Sequence, residues 1–218
     1  MFLGVIVSAQ ALAHFAEVAG RPTDAHGRLI YAAGKTEVPC PPQDAHTAVI
    51  FVAGQSNAAN YGERRQRTAF PTRVTAFFDG ACAMAASPLL GASWDEGESL
   101  TPMADELIRS GRYDRVVLAP VAVGGTAIAR WVDGDLAPVL RDALGALQAR
   151  YRVTHAIWHQ GETDADNGVN AADYRRRFDV LLGRWRGQGM AAPVFVSIST
   201  RCDPAWRPDN PVAQAQRA

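Results

Sequence analysis

The sequence predicts an α/β fold in which a parallel sheet is covered by helices on both faces. Three observations carry that prediction: continuous apolar runs, amphipathic stripes between most of them, and polar glycine-containing segments directly after three of the runs. A strand buried on both faces reads as an unbroken apolar run rather than an alternating one. Residues 47–53, Thr-Ala-Val-Ile-Phe-Val-Ala, form such a run, and similar ones cover 74–78, 115–123, 154–159 and 193–199. Five parallel strands are therefore expected.

The helices follow from a 3.6-residue period. Leu100, Met103, Ala104, Leu107 and Ile108 form one apolar stripe, ended by Gly111. Leu136, Val139, Leu140, Ala143, Leu144 and Leu147 form a second, with Asp135 as the expected N-cap and Pro138 in the tolerated first turn. Tyr174, Phe178, Leu181 and Trp185 form a third. Strands alternating with helices imply crossover connections and a parallel sheet.

Length and composition narrow the functional classes. The 218 residues fit one domain over 47–218, preceded by a lead-in over 1–46 whose Pro39, Pro41 and Pro42 mark irregular structure. Lys+Arg and Asp+Glu both number 22, so no net basic field draws nucleic acid or an anionic membrane. No apolar run approaches the ~20 residues of a membrane span. The expected ligand is small and uncharged, or charged only locally. Residues 1–13 resemble a signal peptide ending at Ala11-Leu12-Ala13, which would send the protein to a secreted or periplasmic location. They lack a basic n-region, so they read equally as an ordinary first element, and a cytoplasmic location stays open. Cys40, Cys82 and Cys202 allow three pairings, and unbridged structural thiols are the preferred reading. None sits in a zinc-binding spacing, so no metal is expected. Nothing in the chain fixes an oligomeric state.

In a parallel α/β sheet, ligands bind beyond the carboxyl ends of the strands. After the first run comes Gly54-Gln55-Ser56-Asn57. The glycine permits a sharp turn, and the serine hydroxyl then stands exposed beside unpaired backbone N–H groups, as a nucleophile requires. A plain N-cap serine is the bland alternative. After the third run comes Gly124-Gly125-Thr126, where a backbone N–H could serve an oxyanion, or the chain simply turns. After the fourth comes Trp158-His159-Gln160-Gly161-Glu162, with an amide donor at Gln160 and a carboxylate at Glu162 able to orient an imidazole. Solvated loop acids are the alternative there. Three such segments at three strand ends point to one shared cleft. Two decoys fail: Ala32-Ala-Gly34-Lys35-Thr36 lacks the first glycine of a P-loop, with Leu at 29, and Gly54-x-Ser56-x-Ala58 falls one residue short of the α/β-hydrolase elbow.

These blocks resemble the SGNH hydrolases, and most of all the branch holding sialate O-acetylesterases and the acetylxylan esterases of carbohydrate esterase family 6. The resemblance spans roughly residues 47 to 217, and Trp158-His-Gln-Gly-Glu162 is its most specific part. It implies a flavodoxin-like three-layer α/β/α fold, no metal and no cofactor, and a small-molecule or polysaccharide acetyl ester as substrate. It further implies Ser56 as nucleophile. The oxyanion hole would comprise the N–H of Ser56, an N–H of Gly124 or Gly125, and the Gln160 amide. Glu162 is the fourth catalytic candidate after Ser56, Gly125 and Gln160. Gln55, Asn57, Gly124, Thr126 and His159 are the expected substrate-binding residues.

One departure bears on turnover. The family's base is the histidine of an Asp-x-x-His segment near the C-terminus, and this sequence contains none. Its last histidine is His159. The expectation is that the base-bearing loop and the final helix follow Ala218, and that these 218 residues alone turn over poorly. His159 could substitute only by reaching Ser56. Side chains alternate along a strand, so if Gln160 faces the oxyanion, His159 faces a packed layer. Two functions stay open: an acetylesterase acting through an acyl-enzyme, and a carbohydrate-binding module that lacks the base.

Overall fold

The structure, a computed structural model, describes residues 22–199 and 209–218. The signal-peptide-like stretch 1–13, His14 and Cys202 lie outside the described residues. The strands are β1 (Thr47–Gly54), β2 (Val74–Phe78), β3 (Ala81–Met84), β4 (Arg115–Ala122), β5 (His155–His159) and β6 (Val194–Val196). The helices are α1 (Leu100–Arg109), α2 (Ile128–Val132), α3 (Leu136–Gln148), α4 (Glu162–Asp166), α5 (Ala171–Gly187) and α6 (Pro211–Arg217).

Five strands match the apolar runs, and they are mutually parallel. The sixth is a correction: the sheet is mixed, because β3 runs antiparallel to β2. The two are joined by Asp79-Gly80, both with positive φ (46° and 84°), as a type I′ hairpin turn requires. The sheet order is β3-β2-β4-β1-β5-β6. This departs from the flavodoxin order itself, where the first strand sits between the second and third. Here β1 lies between β4 and β5. The chain builds one side of the sheet first and then crosses β1 to build the other. The ends of β1, β4 and β5 are thus the place where the strand order reverses, which is where such sheets bind ligands.

All eight residues of β1 are buried, because its side chains feed two cores. Val49, Phe51 and Ala53 face α2, α3, α5 and α6 through Trp131, Leu136, Leu144, Trp185 and Val212. Ala48, Ile50 and Val52 face α1 through Leu100, Ala104 and Ile108. Three layers result, as expected.

Three details differ from the sequence reading. Asp135 occupies the N-cap position of α3 but accepts no capping bond. The Arg130 guanidinium reaches both its oxygens, at 2.9 and 2.6 Å, and His26 joins at 3.2 Å, so a charge-assisted fork wins over the cap. Cys40 and Cys82 form a disulfide, where free thiols were preferred. The strand absent from the sequence reading explains it: the lead-in runs along β3, with Val38 N–H donating to Cys82 O at 3.0 Å, and so brings the two cysteines together. Finally, the short helix α6 packs its buried Val212 and Ala213 against α4 and α5 and is capped by Asn210, whose side chain accepts from Ala213 N. The lead-in itself is irregular, with isolated bridges only. Among the described residues no helix is long and apolar enough to cross a membrane.

Candidate active site

The first segment of the site owes its shape to close strand packing. Gly54 ends β1 at φ 152°, and a Cβ there would lie 2.0 Å from the carbonyl oxygen of His159 on β5. Only glycine fits, and the chain then turns. Gln55 N–H donates to that same carbonyl at 3.0 Å, and residues Ser56–Ala58 wind into a single 3-10 turn. Ser56 emerges half-buried, and its hydroxyl makes no hydrogen bond to any described residue. Its neighbour Asn57 donates from Nδ2 to Glu162 Oε1 at 2.8 Å, tying the serine turn to the start of α4.

The second segment leaves β4. Gly124 N–H donates to Ser93 Oγ at 2.9 Å, so it is not available to an oxyanion. Gly125 is exposed at φ 68°, and no described group takes its N–H. Of the two glycines the resemblance offered, Gly125 is the one whose donor is open. Thr126 is fully buried. Its hydroxyl donates to Val123 O and accepts from the indole N–H of Trp131, so it shapes the loop rather than touching substrate.

The third segment brings the main correction. Gln160 is 0 % exposed. Its amide nitrogen donates to Thr126 O at 2.9 Å, lies 3.2 Å from Gln55 Oε1, and meets the carboxylate of Asp164. Its Oε1 accepts from Tyr174 Oη at 3.0 Å. Asp164 in turn accepts from Ile128 N at 2.8 Å, the first N–H of α2. Both side-chain polar atoms of Gln160 are thus engaged with protein groups, so its amide is not open to an oxyanion in this arrangement. Gln55 is likewise buried, its Oε1 facing the N–H groups of Gly161 and Thr163 at 3.4 and 3.3 Å. The two glutamines are the clasp that holds the three strand-end segments together. The convergence expected from the sequence is real, but its buried side is made by Gln55, Thr126, Gln160 and Asp164.

Strand alternation does send His159 and Gln160 apart, with the roles reversed. Gln160 enters the packed layer beneath α5, and His159 is the half-buried partner on the other face. His159 Nε2 is buried without a hydrogen-bond partner among the described residues, and it does not bond to Ser56. Burial lowers the His159 pKa, and the charge of Glu162 opposes that shift. Burial lowers His155 in the same direction, helped by Arg112. Burial raises Asp164, against the bonds from Ile128 and Gln160.

These shifts make a prediction. A histidine with a depressed folded pKa stabilises the fold fully above its ordinary value of 6.5 and loses that contribution as pH falls through the lowered value. Asp164 works in the opposite sense, contributing below the ordinary carboxylate value and losing it as pH rises. The midpoint of thermal unfolding is therefore expected to drop between about pH 7.5 and about pH 5, and His159→Gln to shrink that drop. An equal drop in the variant would contradict the assignment.

The sequence reading also missed residues. Asn60 is fully buried and clamps the loop over residues 89–94. Its Nδ2 lies 2.9, 3.3 and 3.2 Å from the carbonyls of Leu89, Ala92 and Trp94, and its Oδ1 accepts from Leu89 N at 2.7 Å. This brings Trp94 onto Tyr61 beside Gly124. Asn60 lies four residues past the serine, and only a buried-asparagine reading of that spacing could have singled it out. Among the described residues no three His, Cys, Asp or Glu side chains gather to hold a metal.

Comparison with known proteins places this geometry. Among solved structures the chain is similar to protein AT4G34215 of Arabidopsis thaliana, with 18 % identity, 81 % of each chain covered and a TM-score of 0.59. It is also similar to NanS, with 18 % identity, 78 % of this chain and 72 % of that one covered, and a TM-score of 0.53. A carbohydrate acetylesterase of Xanthomonas citri, XAC1771, shares 23 % identity over 68 % of this chain and 40 % of its own, with a TM-score of 0.41. The first two likenesses establish the fold. No curated protein matches the sequence. A family match does exist, over residues 46–201, from the residue before β1 to beyond β6. It takes in all three strand-end segments, and the chain belongs to the carbohydrate esterase, sialic acid-specific acetylesterase family.

Proposed function

We propose that the chain is a serine esterase that removes acetyl groups from O-acetylated carbohydrates through an acyl-enzyme on Ser56. The observation that carries this reading is the half-buried hydroxyl of Ser56, bonded to no described residue, at the carboxyl end of β1, beside the strand ends of β4 and β5. Family membership supplies the reaction class: carbohydrate acetylester hydrolysis.

In this mechanism Ser56 Oγ attacks the acetyl carbonyl carbon while its proton passes to a base. The carbonyl oxygen becomes an anion, and the N–H groups of Ser56 and Gly125, neither bonded to a described residue, are the donors assigned to it in this reading. The sugar hydroxyl leaves with a proton and acetyl-Ser56 remains. Water then adds to that ester, and acetate departs as the serine hydroxyl is restored. Gln160, Gln55, Asn57 and Glu162 act as positioning residues, through the turn that carries the serine and the loop that carries Gly125.

A second reading has an observation of its own. No described histidine hydrogen-bonds to Ser56: His26 meets Asp135, His46 is exposed just before the start of β1, His155 meets Thr154 and Tyr113, and His159 Nε2 has no partner among the described residues. A site of this kind without a base would bind acetylated sugar and release it unchanged. Acetate release from mono-O-acetylated hexoses separates the two. The esterase reading expects release above the buffer rate, and binding without any release favours the binding module.

A further inference from the structure

Against Gly124, the neighbour of Gly125, stand two large aromatic rings that the proposed chemistry does not use. Trp94 is 55 % and Tyr61 43 % exposed, and their rings stack with centroids 5.3 Å apart and planes 14° from parallel. The pair is also built, not loose. Trp94 has φ 69°, a left-handed conformation that a tryptophan holds only when its surroundings impose it. Asn60, fully buried, imposes it by donating to Trp94 O. The Tyr61 ring lies against Gly124, where a Cβ would sit 2.2 Å from the tyrosine oxygen. Ser93, next to Trp94, accepts the Gly124 N–H. The aromatic pair is therefore bolted to the loop that carries Gly125 and to the stretch that follows Ser56. It walls a cavity of ≈ 690 Å³ whose walls also include Tyr31, Arg65 and Gly124.

We propose that Trp94 and Tyr61 form a stacking platform for a pyranose ring of the carbohydrate ester, and so set which sugars are accepted. This rests on the carbohydrate-esterase reading above. The apolar C–H face of a pyranose carries slight positive charge, and an aromatic face carries the negative lobe of a quadrupole. A flat, exposed aromatic surface therefore suits a sugar ring better than a small ester. A cavity of several hundred Å³ is of the size that holds such a ligand. The acetyl group would project past Gly124 toward Gly125 and Ser56, while the ring rests on the aromatic pair.

The test is calorimetric titration of the full chain with a methyl N-acetylhexosaminide, whose amide resists hydrolysis. Trp94→Ala is expected to weaken binding about tenfold, and Tyr61→Ala to weaken it similarly. Trp94→Phe, which keeps a ring, should stay within about threefold of the unaltered chain. Phe195→Ala, which removes an exposed ring on the β6 edge of the sheet, should leave binding unchanged. Equal binding by Trp94→Ala and the unaltered chain would overturn the platform, as would no binding of the sugar by the unaltered chain. Failure of the esterase reading looks different: acetate is never released, while the dependence of sugar binding on Trp94 persists.

Discussion

Ser56→Ala is expected to lower acetyl-ester turnover by about 10⁴-fold or more in any active form of the protein, with little change in thermal stability. The hydroxyl is half-buried and bonds to no described residue, so its removal breaks no packing and strands no partner. What it removes is the atom that forms the covalent intermediate. The residual rate should match that from oxyanion donors and substrate positioning alone. The measurement is kcat/KM on p-nitrophenyl acetate and on a mono-acetylated sugar. Retention of more than about a tenth of the activity would mean that water or another residue attacks the ester directly.

Gly54→Ala is expected to be the most damaging substitution for the fold, costing about 4 kcal/mol or more. The added methyl group would fall 2.0 Å from the oxygen and 2.6 Å from the carbon of His159, both backbone atoms within a paired strand. Neither can swing aside as a side-chain tip would. The backbone angle at Gly54, φ 152°, is also one that residues with a Cβ rarely adopt. Either β5 separates from the end of β1 or the serine turn is rebuilt, so activity should fall together with stability. Gly183→Ala is the control of opposite sign. It sits exposed in the middle of α5 with nothing near the new methyl, and should stabilise by about 0.5–1 kcal/mol. Chemical denaturation of both variants measures the pair, and a near-neutral Gly54→Ala would contradict the close approach of the two strands.

The parts of the fold that could be read from the sequence are those where one face or two faces must be apolar. The runs at 47–53, 74–78, 115–123, 154–159 and 193–199 all hold strands; β1 and β4 are buried on both faces almost throughout, which leaves no room for alternation, whereas β5 alternates buried and half-buried residues and β6 leaves Phe195 exposed at the edge. β3 was not legible that way: it is four residues long, begins with an exposed alanine and sits at the sheet edge. Its signal was the Asp79-Gly80 pair, a two-residue hairpin turn. The disulfide followed from β3 and was hidden with it.

The site was legible at the level of segments and not of atoms. Alternation in β5 establishes that His159 and Gln160 point to opposite faces, but not which face is packed. That was decided by α5, which places Tyr174 against Gln160. In the same way Asp135 looked like a cap until the fold brought His26 beside it and Arg130 turned back to meet it. The Tyr61–Trp94 pair joins loops 33 residues apart, and no local pattern announces it.

The central claim is that Ser56 carries the acyl group. Its most direct test is treatment of an active form of the protein with a fluorophosphonate, followed by mass spectrometry of the digested chain. The account predicts a single modified peptide, the one containing Gly54-Gln55-Ser56-Asn57, with the label on Ser56 and none in the Ser56→Ala variant. A label on another serine, or undiminished labelling of that variant, would contradict it.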